Sequence, residues 1–453
     1  MGNPMFEPDP KLVSMVFEYC RWRLSLDPVP LDLPGDKRIL DEALSGLIGA
    51  EPRDPEEVFR VFTDTLAPAV LSADSPRFLA FIPAAPTKAS LLFDMVVSCS
   101  SLQGTSWLEA SGAIAAENQA LRLLADLAGL PEEAGGCFVS GGSAANLSGL
   151  VVAREVARHK LGRDRNRTLR IAVSDQAHSS ATKALMVTGM EALVVPTEHY
   201  RLTGDVLEAA LAADPDPTSV IGVVATAGTT NAGIIDDLES VGRFANDRDL
   251  WFHVDAAYGG AALFAPSARS RFAGIERADS LVIDPHKWLF APFDCGALIY
   301  RKPHLARAVH TQNASYLDVV HTGAPDEWNP SDYAYHLTRR ARGLALWFSL
   351  SVNGTDAYSD AVESSLRIAR ETADLIETKS HLQLLHQPPL SVVLYRRNGW
   401  SPEDYDRWSA QLVADQVGLV TPTKWQGETL ARLAFLHPHT TLAMVDEVLE
   451  SMK

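Results

Sequence analysis

Six short apolar runs between residues 170 and 300 constrain this chain more than any other feature. They are Arg170-Ile171-Ala172-Val173, Ala192-Leu193-Val194-Val195, Ser219-Val220-Ile221-Gly222-Val223-Val224, Trp251-Phe252-His253-Val254, Leu281-Val282-Ile283 and Gly296-Ala297-Leu298-Ile299-Tyr300. Near-continuous rather than alternating apolar runs mark strands covered on both faces. Helical stretches lie between them, so the chain reads as an α/β sandwich around a mainly parallel sheet. Polar residues gather directly after several of the runs, and in such a sheet ligand-binding groups collect at the C-terminal ends of strands.

The flanks read differently. Residues 1–75 form an N-terminal helical arm with Pro-rich breaks at Pro28-Val29-Pro30 and Leu33-Pro34-Gly35. An amphipathic helix over Pro55 to Ala67 turns Val58, Phe59, Val61 and Phe62 toward a partner surface. Residues 76–355 make a large α/β domain, which a helix over Leu344 to Val352 continues toward its end. Residues 356–453 make a small α+β domain with a helix from Ala361 to Thr378, a strand Leu390–Tyr395 and a last helix from Thr441. At 453 residues, more than one core is expected.

A net charge of −17 with no basic block argues against nucleic acid or an anionic membrane as partner. Any anionic ligand must then be captured by local groups. No apolar run approaches the ~20 residues of a membrane span, and the polar, acidic N-terminus lacks an apolar signal core. Cys20, Cys99, Cys137 and Cys295 are scattered without metal spacing and read as buried thiols in a reducing compartment. The expectation is a soluble, cytoplasmic protein without a metal.

Several constellations carry chemistry. Ser140-Gly141-Gly142-Ser143-Ala144-Ala145-Asn146 precedes a helical run from Leu147 to Lys160. Glycines let a phosphate approach the backbone, and the helix start favours an anion. Alone, a Gly-Gly turn is more often plain turn chemistry. Asp175-Gln176-Ala177-His178-Ser179-Ser180 follows the first run; His178 could stack on a flat cofactor, or the segment could be only a helix cap. Thr226-Ala227-Gly228-Thr229-Thr230-Asn231 offers hydroxyls to a ligand or simply makes a turn. His253-Val254-Asp255-Ala256-Ala257-Tyr258 and Asp284-Pro285-His286-Lys287-Trp288 place a carboxylate and an amine after two of the runs. A purely structural Asp255–Lys287 ion pair there would carry a desolvation penalty of several kcal/mol per ion. Pyridoxal phosphate (PLP) chemistry needs such a pair, the lysine for a Schiff base and the acid on the pyridine nitrogen.

These segments, in this order and spacing, resemble the group II PLP-dependent amino-acid decarboxylases, the aromatic-L-amino-acid decarboxylase-like group. The likeness runs from Phe78-Leu79-Ala80-Phe81-Ile82-Pro83 to the last helix. It implies the fold-type I PLP-dependent transferase (aminotransferase-like) architecture. It also implies that Lys287 bonds the cofactor, that Asp255 keeps its ring nitrogen protonated, and that His178 and Ala257 cover the two ring faces. Gly142, Ser143 and His286 would bind the phosphate, with Thr230 nearby. Tyr316, in Thr311-Gln312-Asn313-Ala314-Ser315-Tyr316-Leu317, matches the loop tyrosine that protonates the product carbon.

The resemblance further implies a homodimer in which the Phe81 region and the loop over 311–330 lie near the subunit boundary. The substrate pocket would include Phe81, Ile82, Gln103 and Thr105. Phe81-Ile82-Pro83-Ala84 lacks hydroxyls that aromatic-acid relatives carry there, and Asp284 stands where several relatives have Asn. The expected reaction is decarboxylation of an aromatic or bulky L-amino acid to the amine and CO2. An aldehyde synthase, an aminotransferase and a PLP-binding protein without catalysis are the competing readings.

Overall fold

The computed structural model describes residues 4–7, 9–82, 84–161, 167–197, 199–312, 314–321, 324 and 327–453. Pro83 and Asn313, quoted above, lie outside the described residues.

Seven strands form the central sheet: β1 (Gly135–Val139), β2 (Arg170–Ser174), β3 (Glu191–Val195), β4 (Val220–Thr226), β5 (Trp251–Asp255), β6 (Ser280–Ile283) and β7 (Gly296–Tyr300). Their order is β1-β7-β6-β5-β4-β2-β3. Neighbours pair in parallel from β6 through β5, β4 and β2 to β3, while β7 runs antiparallel to both β6 and β1. The apolar runs therefore read the sheet to within a residue or two at each end. β1 was harder to see because it opens on two glycines. They are needed: a Cβ on Gly136 would stand 1.9 Å from the Leu298 carbonyl oxygen of β7.

Period-2 alternation sorts the sheet's side chains onto two faces. Phe252 and Val254 of β5 pack with Leu238, Val241 and Phe244 of the helix Leu238–Asp247. Trp251 packs with Val152 and Ala153 of the helix Gly142–Leu161, on the opposite face. By the same alternation His253 and Asp255 point with Trp251, toward that second helix. The helix begins at Gly142, five residues before the expected Leu147, because Gly141 O already accepts from Ala144 N and Ala145 N.

A second sheet holds β8 (Leu382–Leu384), β9 (Val392–Arg397), β10 (Thr423–Trp425) and β11 (Glu428–Ala434), all antiparallel in the order β10-β11-β9-β8. Residues near 78 extend it: Leu79 N donates to Leu419 O, and Ala434 N donates to Leu79 O. The two helices expected around 350 and 361–378 are one element, Leu344–Glu377, kinked at Gly354, whose φ of 77° suits glycine. The helix Pro402–Ala414 was missed despite Ser401 at the N-cap, Pro402 after it and a reciprocal Ser401–Asp404 capping box. The arm helix runs Pro55–Val61 and continues as a π-turn over Phe62–Leu66.

Cys137 and Cys295 are buried thiols as expected, but Cys99 is exposed and Cys20 half-buried. Among the described residues no helix is long and apolar enough to cross a membrane.

Candidate active site

The C-terminal ends of β1, β2, β4, β5 and β6 open onto one cavity of about 340 Å³. Each strand end delivers its own group: Ser140 to Ser143 after β1, His178 after β2, Gly228 and Thr230 after β4, Asp255 and Ala257 at β5, and Asp284, His286 and Lys287 after β6. Asp255, Ala257 and Asp284 form the buried floor, while His178, Ser143 and Thr230 are exposed around the mouth.

Lys287 does not pair with Asp255. Its Nζ lies 3.0 Å from Asp284 Oδ2, with the carboxylate side chain 2% exposed and the lysine side chain 22% exposed. A turn explains the choice, since Lys287 N donates to Asp284 O at 2.9 Å and puts both side chains on one side. Asp255 meets no cation among the described residues. It accepts from Asn146 Nδ2 at 2.9 Å through Oδ2 and from Ala257 N at 3.1 Å through Oδ1. His178 caps the helix Ser179–Thr188, and its Nδ1 accepts from Ser180 N at 3.2 Å. Cys295 N donates to His286 Nδ1 at 3.0 Å, and burial, partly opposed by Asp284, holds that imidazole below its ordinary pKa.

Two buried oxygens lining the cavity, Thr226 Oγ1 and Asp284 Oδ1, have no hydrogen-bond partner among the described residues. Leaving such a group unsatisfied costs about 1–3 kcal/mol, so the cavity is built for polar contents. Its glycines keep it open. A Cβ on Gly141 would meet the His286 ring at 2.9 Å, and one on Gly142 would meet Asp284 Oδ2 at 2.9 Å and Ala257 Cβ at 3.2 Å. A 20-residue helix starts at Gly142, so its free N–H groups and dipole face the same space. An amine, a separate unpaired carboxylate and an anion-favouring helix start on one wall fit pyridoxal phosphate.

The remaining residues singled out from sequence lie elsewhere. Gln103, Thr105 and Tyr316 line a different cavity of about 340 Å³ with Leu108, His321 and Asp332. Tyr316 is 72% exposed. Phe81 is exposed with φ of 53°, beside Phe78 at a ring distance of 6.3 Å, and Ile82 is buried. None of these reaches the Lys287 cavity of its own chain. Conversely, Asn146, Ser180 and His253 were quoted from sequence without a role, yet they surround Asp255 and His178. A polar side chain in the first turn after Gly-Gly-Ser, and a hydroxyl two positions after His178, were the available signals.

Fold and site together define a fold-type I architecture with a lysine and a separate carboxylate on one cavity. Residues 38–398 match the pyridoxal-dependent decarboxylase conserved domain, and the chain belongs to that family. It is similar to the aromatic-L-amino-acid decarboxylase of Bacillus atrophaeus, 29% identical over 92% of this chain and 89% of that one. It is also similar to the phenylacetaldehyde synthase of Arabidopsis thaliana, 28% identical over 76% of this chain and 74% of that one. Its fold matches the crystal structure of Oryza sativa TDC with PLP and tryptamine at a TM-score of 0.89, with 24% identity over 98% of this chain and 99% of that one. The protein is a PLP-dependent amino-acid decarboxylase.

Proposed function

We propose that this enzyme decarboxylates an aromatic or bulky L-amino acid to its amine, with Lys287 as the lysine that bonds the cofactor. The observation that carries the reading is the convergence of Lys287, Asp255, His178 and the Gly142-Ser143 helix start on one cavity. Bound pyridoxal phosphate supplies an electron sink for the carbon that loses CO2. The residues do the rest. Lys287 Nζ, 3.0 Å from Asp284 Oδ2, would be the amine that holds the cofactor. Asp255, an acceptor on the cavity floor, holds a proton on the group placed against it, so that charge is stabilised as it develops. Gly142, Ser143 and His286 would hold the phosphate, with Thr230 nearby, and His178 and Ala257 would line the space for the ring.

Tyr316 would give the proton that completes the amine. Its place outside the Lys287 cavity, together with Phe81, Gln103 and Thr105, supports a homodimer in which a second copy brings these residues to the site. The helix Pro10–Ser25 adds support: none of its residues is fully buried in its own chain, and Val13, Phe17 and Trp22 stand exposed. The same proposal divides the chain into an arm (1–75), a large domain (76–355) and a small domain (356–453), with the last boundary beside the Gly354 kink. Free cysteines support a cytoplasmic setting.

A screen of the protein amino acids for CO2, amine and H2O2 tests the reading. Amine equal to CO2 without H2O2, from an aromatic or bulky substrate, is expected. Aldehyde with H2O2 would make the enzyme an aldehyde synthase, and dependence on a keto acid would indicate transamination. Tyr316→Phe should lose amine; an unchanged amine yield would remove Tyr316 from the proton transfer.

A further inference from the structure

Behind the cavity floor runs a chain of buried hydrogen bonds that the reaction as described does not use. Trp251 Nε1 donates to Ser280 Oγ at 2.8 Å, and Ser280 Oγ lies 2.7 Å from His253 Nδ1. His253 Nε2 lies 2.9 Å from Asn146 Oδ1. Asn146 Nδ2 then reaches both Asp255 Oδ2 at 2.9 Å and Ser180 Oγ at 2.8 Å, and Ser180 Oγ lies 2.8 Å from His178 Nδ1. Asn146 is 1% exposed, and Ser280 and His253 are fully buried.

Every proton in this chain has a forced position. A carboxylate only accepts, so the Asn146 group facing Asp255 is its NH2, its Oδ1 is an acceptor for His253 Nε2, and the Ser280 hydroxyl, which accepts from the indole N–H, is left to donate to His253 Nδ1. Burial lowers the His253 pKa to about 4, against the opposing pull of Asp255, so the ring is neutral and carries one N–H. With Nδ1 accepting, that proton sits on Nε2 and is donated to Asn146 Oδ1. The Asn146 amide is therefore locked with its NH2 toward Asp255 and Ser180. Turned over, it would set its carbonyl oxygen against a carboxylate and an NH2 against the His253 N–H. His178 Nδ1 accepts the Ser180 backbone N–H, so the Ser180 hydroxyl, whose oxygen accepts from Asn146, donates to the same nitrogen. His178 is left with its proton on Nε2, the nitrogen with no hydrogen-bond partner among the described residues. Aligned donors of this kind reinforce one another.

We propose that Asn146 is a positioning residue which, through one carboxamide, holds Asp255 as an acceptor and His178 in the Nε2–H form. This rests on the assignment of Asp255 and His178 to the cofactor site. It extends that assignment to a buried side chain on the wall of the same cavity, acting through Asp255 and His178. Asn146 links two groups from different strands, so a single substitution there acts on both.

The test is histidine ¹⁵N NMR of the full-length, cofactor-free protein, with signals identified by His178→Gln and His253→Gln, alongside titration with pyridoxal phosphate. The wild type should show the Nε2–H tautomer at both rings. Asn146→Leu removes the acceptor of His253 Nε2–H, so His253 should populate Nδ1–H, donating to Ser280. Asn146→Asp keeps an acceptor for His253 and should keep its tautomer, but it sets a second carboxylate against Asp255, and the two must share a proton. Asn146→Leu loses the charge-assisted hydrogen bond to Asp255, and Asn146→Asp ties Asp255 up in a proton shared between two carboxyl groups, so in both the Kd for pyridoxal phosphate should rise about tenfold or more. An Nδ1–H tautomer at His253 or His178 in the wild type would overturn the proposal whether or not the variants fold. Wild-type affinity in folded Asn146→Asp would overturn it too. A wild type that binds no pyridoxal phosphate would refute the cofactor-site assignment instead, while its tautomers would still judge the hydrogen-bond chain.

Discussion

Gly142→Ala isolates the phosphate cradle from the rest of the site. No left-handed φ is required of Gly142, so alanine meets no backbone penalty there and the effect is steric. The added Cβ would lie 2.9 Å from Asp284 Oδ2 and 3.2 Å from Ala257 Cβ. Neither neighbour can retreat freely. Asp284 is 2% exposed, and its backbone N donates to Ala257 O at 3.0 Å. Overpacking of this kind costs about 1–3 kcal/mol. Relief by moving Asp284 also moves its partner Lys287, so the cost appears in cofactor affinity. At 1.4 kcal/mol per tenfold, the Kd for pyridoxal phosphate should rise between about 5-fold and 150-fold. The assay is an absorbance titration of the cofactor-free enzyme, with thermal melting in parallel. Gly112→Ala is the control, because a Cβ there meets nothing within 4 Å. Gly142→Ala binding within about twofold of the wild type would refute the reasoning, since a full 1 kcal/mol would exceed that.

Two further outcomes concern stability. Glu117→Ala leaves Arg339 buried without its carboxylate, 2.9 Å away and with both side chains at most 3% exposed, and also strips the acceptor from Gly343 N. Chemical denaturation should show a loss of about 3–5 kcal/mol; a loss below about 1 kcal/mol would contradict a paired, buried Arg339. Burial holds His253 and His437 at about 4. The unfolded chain takes up protons below about 6.5 that these folded rings refuse, so stability should fall as pH drops from about 6.5 toward 4. Melting in that range should show a shallower decline for His437→Gln than for the wild type; equal slopes would remove His437 from the acid limb.

What the sequence disclosed follows from what each signal depends on. Strands β2 to β7 were legible because burial on both faces demands continuous apolar residues. β1 was not, because close approach to β7 requires Gly136 and the Trp328 ring against Gly135 leaves no room for a side chain, and glycines carry no apolar signal. β8 and β10 are three residues long and only partly buried, and the buried run of β11 is interrupted by the charged Arg432. The cavity wall was legible from the rule that strand ends collect ligand groups. The choice of Asp284 over Asp255 as the partner of Lys287 was not, because it turns on a local backbone turn. Nor was the role of Asn146, which depends on alternation along β5 bringing His253 and Asp255 to the face of a helix more than a hundred residues earlier. Tyr316 and Phe81 show the remaining limit: both lie away from the Lys287 cavity of their own chain, and nothing in their sequence neighbourhood says so.

The central claim is that Lys287 bonds the cofactor, and reductive trapping tests it directly. The enzyme is loaded with pyridoxal phosphate, reduced with borohydride, digested and mapped by mass spectrometry. The account predicts one modified peptide carrying the cofactor on Lys287, and no trapped cofactor in Lys287→Ala. Trapping on another lysine, or equal trapping in Lys287→Ala, would contradict it.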